Sequence, residues 1–147
     1  MKNITTLAQL ISQVESNGNP LAIRFEPAHT PSNKFIMPMM GIAHCNYNTA
    51  KNLCSMSWGE FQIMGDELIA LGLEVSPLAY VLNTAMQADF FSRYVLADHL
   101  TLTLADVLTD STKRHIFARL YNGPGNVDGY CLRIEQVAKV NGLQVTP

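Results

Sequence analysis

The stretch TTLAQLISQVESNGNP, at residues 5–20, decides how the fold begins. Its apolar residues recur at the spacing of an amphipathic helix and are Leu7, Leu10, Ile11 and Val14. Thr5 or Thr6 can cap the start of this helix, because a threonine side chain accepts a hydrogen bond from a free backbone N–H there. The helix should end near Ser16 or Asn17, because the Asn-Gly-Asn-Pro that follows Ser16 favours turns and breaks helices.

Glu15 lies at the end of this predicted helix, on the border of its buried stripe. A carboxylate near a helix C-terminus opposes the helix dipole, so we expect another interaction to keep it there. A carboxylic acid in partly apolar surroundings has its charged form disfavoured, and a general acid working near neutral pH needs a proton to give. Glu15 is therefore a candidate general acid, and the alternative is an ordinary solvated glutamate at a helix end.

The next part of the chain predicts a small strand region and then a long loop. LAIRFEP, at residues 21–27, is typical of a short extended segment closed by a proline. Residues 29–55 contain prolines, asparagines and lysines without a sustained period, which predicts an irregular excursion with at most a short helix after Pro38. Long loops of this kind are usually functional or mobile.

The remainder of the chain predicts helices. Ser57 followed by Glu60 is a capping-box pattern, and it predicts a helix that runs to Gly72. The strongest pattern covers residues 76–100, where Ser76 caps a helix with a proline in its first turn. The predicted buried face of that helix consists of Leu78, Val81, Leu82, Ala85, Met86 and Phe90. Shorter helices are predicted at residues 103–108, 110–121 and 127–140.

The composition indicates one compact domain. The chain has 147 residues, 48% of them apolar and only 15% charged, which is typical of a single folded core. A net charge of -2 with scattered basic residues gives no reason to expect nucleic-acid binding. Residues 34–45 are the most apolar stretch and are too short to span a membrane. The first residues lack the apolar core of a secretory signal, so no export signal is expected.

The cysteines and histidines predict neither a disulfide framework nor a metal site. Cys45, Cys54 and Cys131 cannot all pair within one chain, so reduced thiols are expected. His44 stands beside the first two cysteines, but their spacing fits no standard zinc pattern and a fourth ligand is missing. The four histidines show no pairing that indicates a metal site or a catalytic triad. We expect no metal and no cofactor.

Two further stretches, SWGEFQIMG at residues 57–65 and LYNGPGNVDGY at residues 120–130, combine polar amides with glycines that let a ligand approach the backbone. Sugar recognition uses amides, hydroxyls and aromatic faces. The residues that supply these groups are Gln62, Tyr121 and Asn122, with Trp58 and Tyr130 expected to supply flat ring surfaces.

These residues also have structural interpretations. Trp58 can be an ordinary core residue, since large aromatics are usually well buried. Tyr121 and Asn122 can simply mark the end of a helix. Glu60 is expected to be a capping residue that faces solvent. Gln62 lies within an apolar run, where an amide needs a partner, so a functional role is favoured for it.

The segments VESNGNP, GEFQIM and LYNGPGNVDGY resemble, in this order, the three signatures of lysozyme-like lytic transglycosylases and goose-type lysozymes. With RFEP, SWGEFQIMG and YNGPG, the chain is more similar still to the phage N-acetylmuramidase endolysin family. The resemblance spans about residues 7–135. It implies a lysozyme-like α+β fold, predominantly α-helical with a minor strand region, that forms one catalytic domain over residues 1–147. It also implies a substrate groove between the helices and the strand region.

The resemblance implies a muramidase that cuts peptidoglycan glycan strands at the β-1,4 bond from N-acetylmuramic acid to N-acetylglucosamine. By the family pattern Glu15 is the catalytic acid and Gln62 contacts sugar or the reacting centre, while Tyr121 and Asn122 border the glutamate. The residue after the acid, Ser16, is a further candidate for a hydrogen bond in the groove. RFEP supplies Glu26 as a candidate second catalytic carboxylate, although Pro27 and Ala28 depart from the family pattern there.

Alternative functions within and outside this family stay open at the level of sequence. A lytic transglycosylase would form 1,6-anhydro ends without adding water. A non-catalytic wall-binding or tail structural component could use the same fold. We expect a monomer that waits in the host cytoplasm before release to the cell wall, or that is carried by the virion.

Overall fold

The computed structural model describes residues 3–97 and 101–146. The chain divides into two compact units, one formed by Met1–Gly18 with Tyr94–Pro147 and the other by Asn19–Arg93. The helices, in chain order, are α1 (Leu7–Ser16), α2 (Asn33–Ala43), α3 (Tyr47–Cys54), α4 (Gly65–Ala70), α5 (Pro77–Val81), α6 (Thr84–Ala97), α7 (Leu104–Thr109), α8 (Ser111–Tyr121) and α9 (Val127–Val140). The strands are β1 (Ile23–Phe25), β2 (Met56–Trp58) and β3 (Ile63–Met64), and a short 3-10 helix covers Pro124–Asn126. The predicted mainly helical α+β class is confirmed.

The first unit contains α1, α7, α8 and α9, with α9 packed against both α1 and α8. Helix α1 begins as predicted, because the Thr6 hydroxyl accepts a hydrogen bond from the Gln9 N–H and the Gln9 side chain accepts one from the Thr6 N–H. The predicted apolar face of α1 is buried and consists of Leu7, Leu10, Ile11 and Val14. The predicted helices at residues 110–121 and 127–140 are confirmed as α8 and α9.

Among the residues that the structure describes, Arg114 is the largest fully buried side chain, at 1% exposure. Its guanidinium donates hydrogen bonds to the carbonyls of Val107 and Thr146, each over 3.0 Å, and pairs with the Glu135 carboxylate at 3.0 Å. A buried charge with a partner and backbone acceptors is tolerated, whereas an isolated one is not. Arg114 therefore ties α7, α9 and the segment after α9 together.

The second unit contains a three-stranded antiparallel sheet in the order β1-β2-β3, together with α2 to α5. Ile23 of β1 lies opposite Trp58 of β2, which in turn lies opposite Ile63 of β3. Helices α2 and α3 pack against each other around a small apolar core that consists of Ile36, Met39, Ala50 and Cys54. The predicted strand region after the first helix is confirmed.

The predicted irregular excursion at residues 29–55 is wrong, because α2 and α3 occupy most of it. Pro38 lies inside α2, where it removes one helical hydrogen bond. Burial of Ile36 and Met39 on the same helix offsets that cost, and Asn46 caps α3 by accepting a hydrogen bond from the next turn. Tertiary packing here overrides the local signal of proline.

The predicted helix from Ser57 to Gly72 is also wrong over its first half, where β2 and β3 form a hairpin and only α4 is helical. Gly59 and Gln62 in the connecting loop have φ values of 76° and 51°, which an α-helix excludes. The Ser57 hydroxyl does not cap a helix; it donates a hydrogen bond to the Gln62 side chain over 2.8 Å.

The predicted long helix at residues 76–100 is divided into α5 and α6, and its last residues, 98–100, lie outside the described residues. Ser76 caps α5 as predicted, but Asn83 starts a new helix by accepting a hydrogen bond from the Met86 N–H over 3.0 Å. Leu78 and Leu82, which were predicted to be buried, are 62% and 70% exposed. Val81 and Phe90 are buried as predicted, whereas Ala85 is exposed. No helix within residues 3–97 and 101–146 is long and apolar enough to cross a membrane.

Candidate functional site

Glu15 lies in the last turn of α1, where the chain leaves the helix as the sequence predicts. Asn17 adopts the left-handed conformation with φ of 56°, and its N–H donates to the Gln13 carbonyl over 3.2 Å. The Gly18 N–H donates to the Ser12 carbonyl over 3.0 Å, which completes the hydrogen bonding of the helix end. The helix therefore ends at Ser16, one residue beyond Glu15, and its hydrogen-bonded end holds Glu15 rigidly.

The hydroxyl of Tyr130, on α9, donates a hydrogen bond to a carboxylate oxygen of Glu15. Tyr130 is only 1% exposed, and Glu15 is partly buried. Burial raises the pKa of Tyr130 well above its usual value, and the charge of Glu15 together with the hydrogen bond to it adds to the rise. The hydroxyl therefore stays protonated and remains a donor to Glu15.

Arg133 lies one helical turn after Tyr130 on α9 and donates a hydrogen bond to the backbone carbonyl of Val14. Its guanidinium also lies 5.9 Å from the centre of the Tyr130 ring. A positive charge at a helix C-terminus interacts favourably with the helix dipole. Arg133 therefore stabilises the helix end that carries Glu15, and no local sequence pattern pointed to it.

An aromatic cluster of Tyr94, Phe117, Tyr121 and Tyr130 surrounds this point of the first unit. The Tyr121 ring lies 5.3 Å from the Phe117 ring and 6.3 Å from the Tyr130 ring, in near-parallel arrangements, while Tyr94 meets it edge-on at 5.3 Å. Such pairs stabilise beyond the area they bury. Glu15, Tyr121 and Tyr130, which the sequence singled out separately, are therefore brought together.

The two other predicted residues of the first unit have simpler surroundings. The Ser16 hydroxyl donates to the Ser12 carbonyl of its own helix over 3.2 Å. Asn122 is exposed and ends α8, with its backbone N–H bonded to the Ala118 carbonyl over 3.0 Å. Of these two side chains, the Asn122 amide is the more accessible to a ligand.

In the second unit, the Gln62 side chain fastens the β2–β3 hairpin. Its carbonyl oxygen accepts from the Ser57 hydroxyl over 2.8 Å, and its amide donates to the carbonyls of Gly59 and Ala22 over 2.8 and 3.2 Å. This satisfies the need for partners that its apolar neighbourhood implied. The sugar contact expected of Gln62 stays a prediction.

Gln87, on α6, is a fully buried amide that the sequence pattern missed. It accepts from the Glu60 N–H over 2.7 Å and donates to the carbonyls of Pro20 and Val81 over 3.1 and 2.9 Å. A side chain at Gly59 would place its first carbon 2.3 Å from the Gln87 carbonyl oxygen, and the φ of Gly59 is also positive. Gly59 and Gln87 thus form a matched pair at the hairpin.

Trp58 and Tyr130, which were expected to supply flat ring surfaces for sugar, are both buried. Trp58 is 4% exposed, and its indole N–H donates to the Leu53 carbonyl over 3.0 Å. The Tyr130 hydroxyl donates its hydrogen bond to Glu15. Contact of these two rings with sugar in a complex stays a prediction.

Glu26 directly follows β1 and pairs with the guanidinium of Arg24, with 32% of its side chain exposed. Three residues further on, the His29 ring lies 2.6 Å from the Asp66 carboxylate, which is 8% exposed. A second histidine, His115, lies near Asp128, at 3.4 Å.

The three cysteines are free thiols, as predicted. Cys54 lies in the core between α2 and α3, where burial, followed by the charge of Asp66, raises its pKa to about 12. Within the described part of the chain, no cluster of three or more histidine, cysteine, aspartate or glutamate side chains could hold a metal ion.

A mainly helical α+β fold with a glutamate fixed at the end of its first helix defines a lysozyme-like protein. The N-acetylmuramidase family model matches residues 43–140. The chain is also 34% identical over 149 residues to an endolysin of Enterobacteria phage PRD1, with 95% of this chain and 98% of that protein covered. No solved structure matches. The chain belongs to the N-acetylmuramidase family of phage endolysins and is a glycosidase that acts on peptidoglycan.

Proposed function

We propose that this enzyme cleaves the β-1,4 bond from N-acetylmuramic acid to N-acetylglucosamine, with Glu15 as the general acid. The observation that carries the proposal is the hydrogen bond from the buried Tyr130 hydroxyl to Glu15 at the end of α1. A general acid must be held within reach of one leaving oxygen, and a rigid helix end with a fixed donor provides this. The family supports the substrate, although residues 43–140 do not include Glu15.

In the proposed reaction, Glu15 gives its proton to the glycosidic oxygen while the bond from that oxygen to the sugar carbon breaks. A water molecule adds to the same carbon, and a second carboxylate takes the proton that the water loses. We assign this second role to Glu26, on the basis of the RFEP resemblance. The reaction as written needs neither a metal nor a cofactor.

The remaining predicted residues are proposed to bind the glycan strand. They are Ser16, Trp58, Gln62, Tyr121, Asn122 and Tyr130. Asn122 is the strongest of these candidates, since its side chain is exposed on the loop after α8. Replacing Asn122 by alanine should raise KM more than it lowers kcat, because it removes a contact made before and during the reaction.

The principal test is Glu15→Gln. Glutamine keeps the shape of the side chain but has no proton to transfer, and general acid catalysis contributes about 10²- to 10⁴-fold in rate. Clearing of purified peptidoglycan should therefore fall by at least about 100-fold with the melting temperature nearly unchanged. Glu74→Gln is the matched control, because Glu74 is exposed. Near-normal clearing by Glu15→Gln would show that the active site is elsewhere.

Mass spectrometry of the released fragments distinguishes the proposed hydrolysis from transglycosylation. Hydrolysis leaves reducing ends, whereas a lytic transglycosylase leaves 1,6-anhydro ends that are lighter by one water. Reducing N-acetylmuramic acid ends would also identify the bond that is cut. We further propose that the protein acts as a monomer with one catalytic domain, in the host cytoplasm before release or within the virion, which gel filtration and fractionation of infected cells would test.

A further inference from the structure

A tight turn from Glu26 to His29 follows β1. The His29 N–H donates to the Glu26 carbonyl over 3.0 Å, and Pro27 occupies the second position of the turn, where its fixed φ is favoured. The Glu26 N–H donates to the Ser55 carbonyl over 2.9 Å, which continues the pairing of β1 with β2. One side of the turn is therefore fixed to the sheet.

The other side of the turn is fixed by His29. Its ring lies 2.6 Å from one carboxylate oxygen of Asp66, and the other oxygen accepts from the Glu67 N–H over 3.1 Å. Asp66 lies in the first turn of α4 and is almost completely buried, so it cannot move without opening the unit. The Ser55 hydroxyl also lies within 3.4 Å of the His29 carbonyl.

We infer that His29 and Asp66 are positioning residues for Glu26, and that through this turn they determine whether water reaches the sugar carbon. The inference rests on the proposed role of Glu26 in activating water. The His29 ring is itself one-third exposed and contributes little to any core, yet it makes a short contact with a buried carboxylate. A hydrogen-bonding partner placed this close to a buried carboxylate fixes the end of the turn, and the turn begins at Glu26.

The reaction offers a readout that separates positioning from general stability. After the glycosidic bond breaks, either water or a hydroxyl of the sugar itself can add to the sugar carbon. Water needs Glu26 at the correct place, because a displacement of about 1 Å can cost about 100-fold in rate. The intramolecular attack needs no bound water. A loosened turn should therefore lower total turnover and increase the share of 1,6-anhydro ends.

The test uses His29→Gln and Asp66→Asn in the full chain, with kcat measured on purified peptidoglycan and the fragments analysed by mass spectrometry. Both variants should lower kcat by about 10- to 100-fold and raise the share of anhydro ends. The double variant of Glu26→Gln with His29→Gln should lose no more activity than Glu26→Gln alone, because the two residues act on one step. Because His29→Gln alters only a partly exposed ring, this variant should still fold normally.

His115→Gln is the matched control, since His115 also pairs with an aspartate, at 3.4 Å and on an exposed surface. It should leave both kcat and the product ratio unchanged. If kcat fell in both test variants while the product ratio stayed unchanged, the inference would be overturned. His29 and Asp66 would then have only a structural role. If the wild-type enzyme produced only anhydro ends, both this inference and the proposed hydrolysis would be overturned. A wrong assignment of Glu15 alone would instead appear as near-normal clearing by Glu15→Gln.

Discussion

The Tyr130 hydroxyl hydrogen-bonds to the Glu15 carboxylate across 115 positions of sequence. A donor to a carboxylate favours the charged form, because the hydrogen bond is stronger to the anion than to the neutral acid. The same contact therefore fixes the position of the Glu15 carboxylate at the end of α1.

Tyr130→Phe should lower peptidoglycan-clearing activity by about 10-fold, because it removes the hydrogen bond that holds the Glu15 carboxylate in place. A hydrogen bond to a charged group is worth about 1.5 to 3 kcal/mol, and 1.36 kcal/mol is about tenfold in rate. The aromatic ring remains, so the fold should persist. Clearing of purified peptidoglycan measures the loss, and unchanged clearing would mean that Tyr130 does not position Glu15 for the reaction.

Arg133→Gln should lower the free energy of unfolding by about 1 kcal/mol, because it removes both the hydrogen bond to the Val14 carbonyl and the positive charge at the end of α1. Thermal unfolding followed by circular dichroism measures the loss. Arg119→Gln is the control, since Arg119 is exposed in the last turn of α8. Equal losses in the two variants would contradict a specific role for Arg133.

Tyr80→Phe should leave the free energy of unfolding unchanged or raise it by up to about 1 kcal/mol. The Tyr80 hydroxyl is buried and has no hydrogen-bond partner among the described residues. Tyr47→Phe is the contrast, because the Tyr47 hydroxyl donates to Asn33 over 2.6 Å. Urea unfolding of both variants measures the difference in stability. A clear loss of stability in Tyr80→Phe would mean that the Tyr80 hydroxyl has a hydrogen-bond partner.

Tyr80 also predicts a dependence of stability on alkaline pH. Burial, followed by the charge of Glu60, raises the pKa of Tyr80 well above its usual value of 10.0. The unfolded chain therefore loses this proton first, so the stability that the protonated group provides is complete below pH 10 and falls as the pH rises further. The stability of Tyr80→Phe should decline less steeply above pH 10.

The Asp106 carboxylate should make the stability of the protein fall as the pH is lowered into the acid range. The hydrogen bond from the Lys113 ammonium, at 2.5 Å, and those from Thr103 hold the pKa of Asp106 far below its usual 3.8. Its contribution is therefore present above pH 3.8 and is lost as the pH falls further. The difference in melting temperature between the wild type and Asp106→Asn should shrink below that pH.

Local patterns predicted the elements of the first unit well. The capping threonine, the apolar spacing of α1 and the turn after Ser16 are all short-range features, and the structure confirms them. The second unit was predicted poorly, because its local signals mislead: Pro38 stands inside a helix, and Ser57 with Glu60 imitates a helix start within a hairpin. Packing between distant segments decides both cases.

The candidate site was predictable only in part, and for the same reason. Glu15 follows from the end of a helix and from motif order. The residues that hold it do not, because Arg133 and Tyr130 lie on α9, far along the chain, and nothing in the pattern of α9 indicates which side chains face α1. Gln87, Asp66 and His29 were missed for the same reason, since each acts through a contact with a distant segment.

The first unit joins the segment before Asn19 with the segment after Arg93, and this has a consequence for biosynthesis. The helix that carries Glu15 leaves the ribosome 115 residues before Tyr130 does. Until α9 has emerged, a nascent chain lacks the Tyr130 hydroxyl that hydrogen-bonds to the Glu15 carboxylate. It also lacks the Arg133 guanidinium that hydrogen-bonds to the Val14 carbonyl at the end of α1. If Glu15 is the general acid, as we propose, we expect lytic competence to arise late in translation. A chain shortened before α9 should then be inert toward the wall even if its first helix has formed.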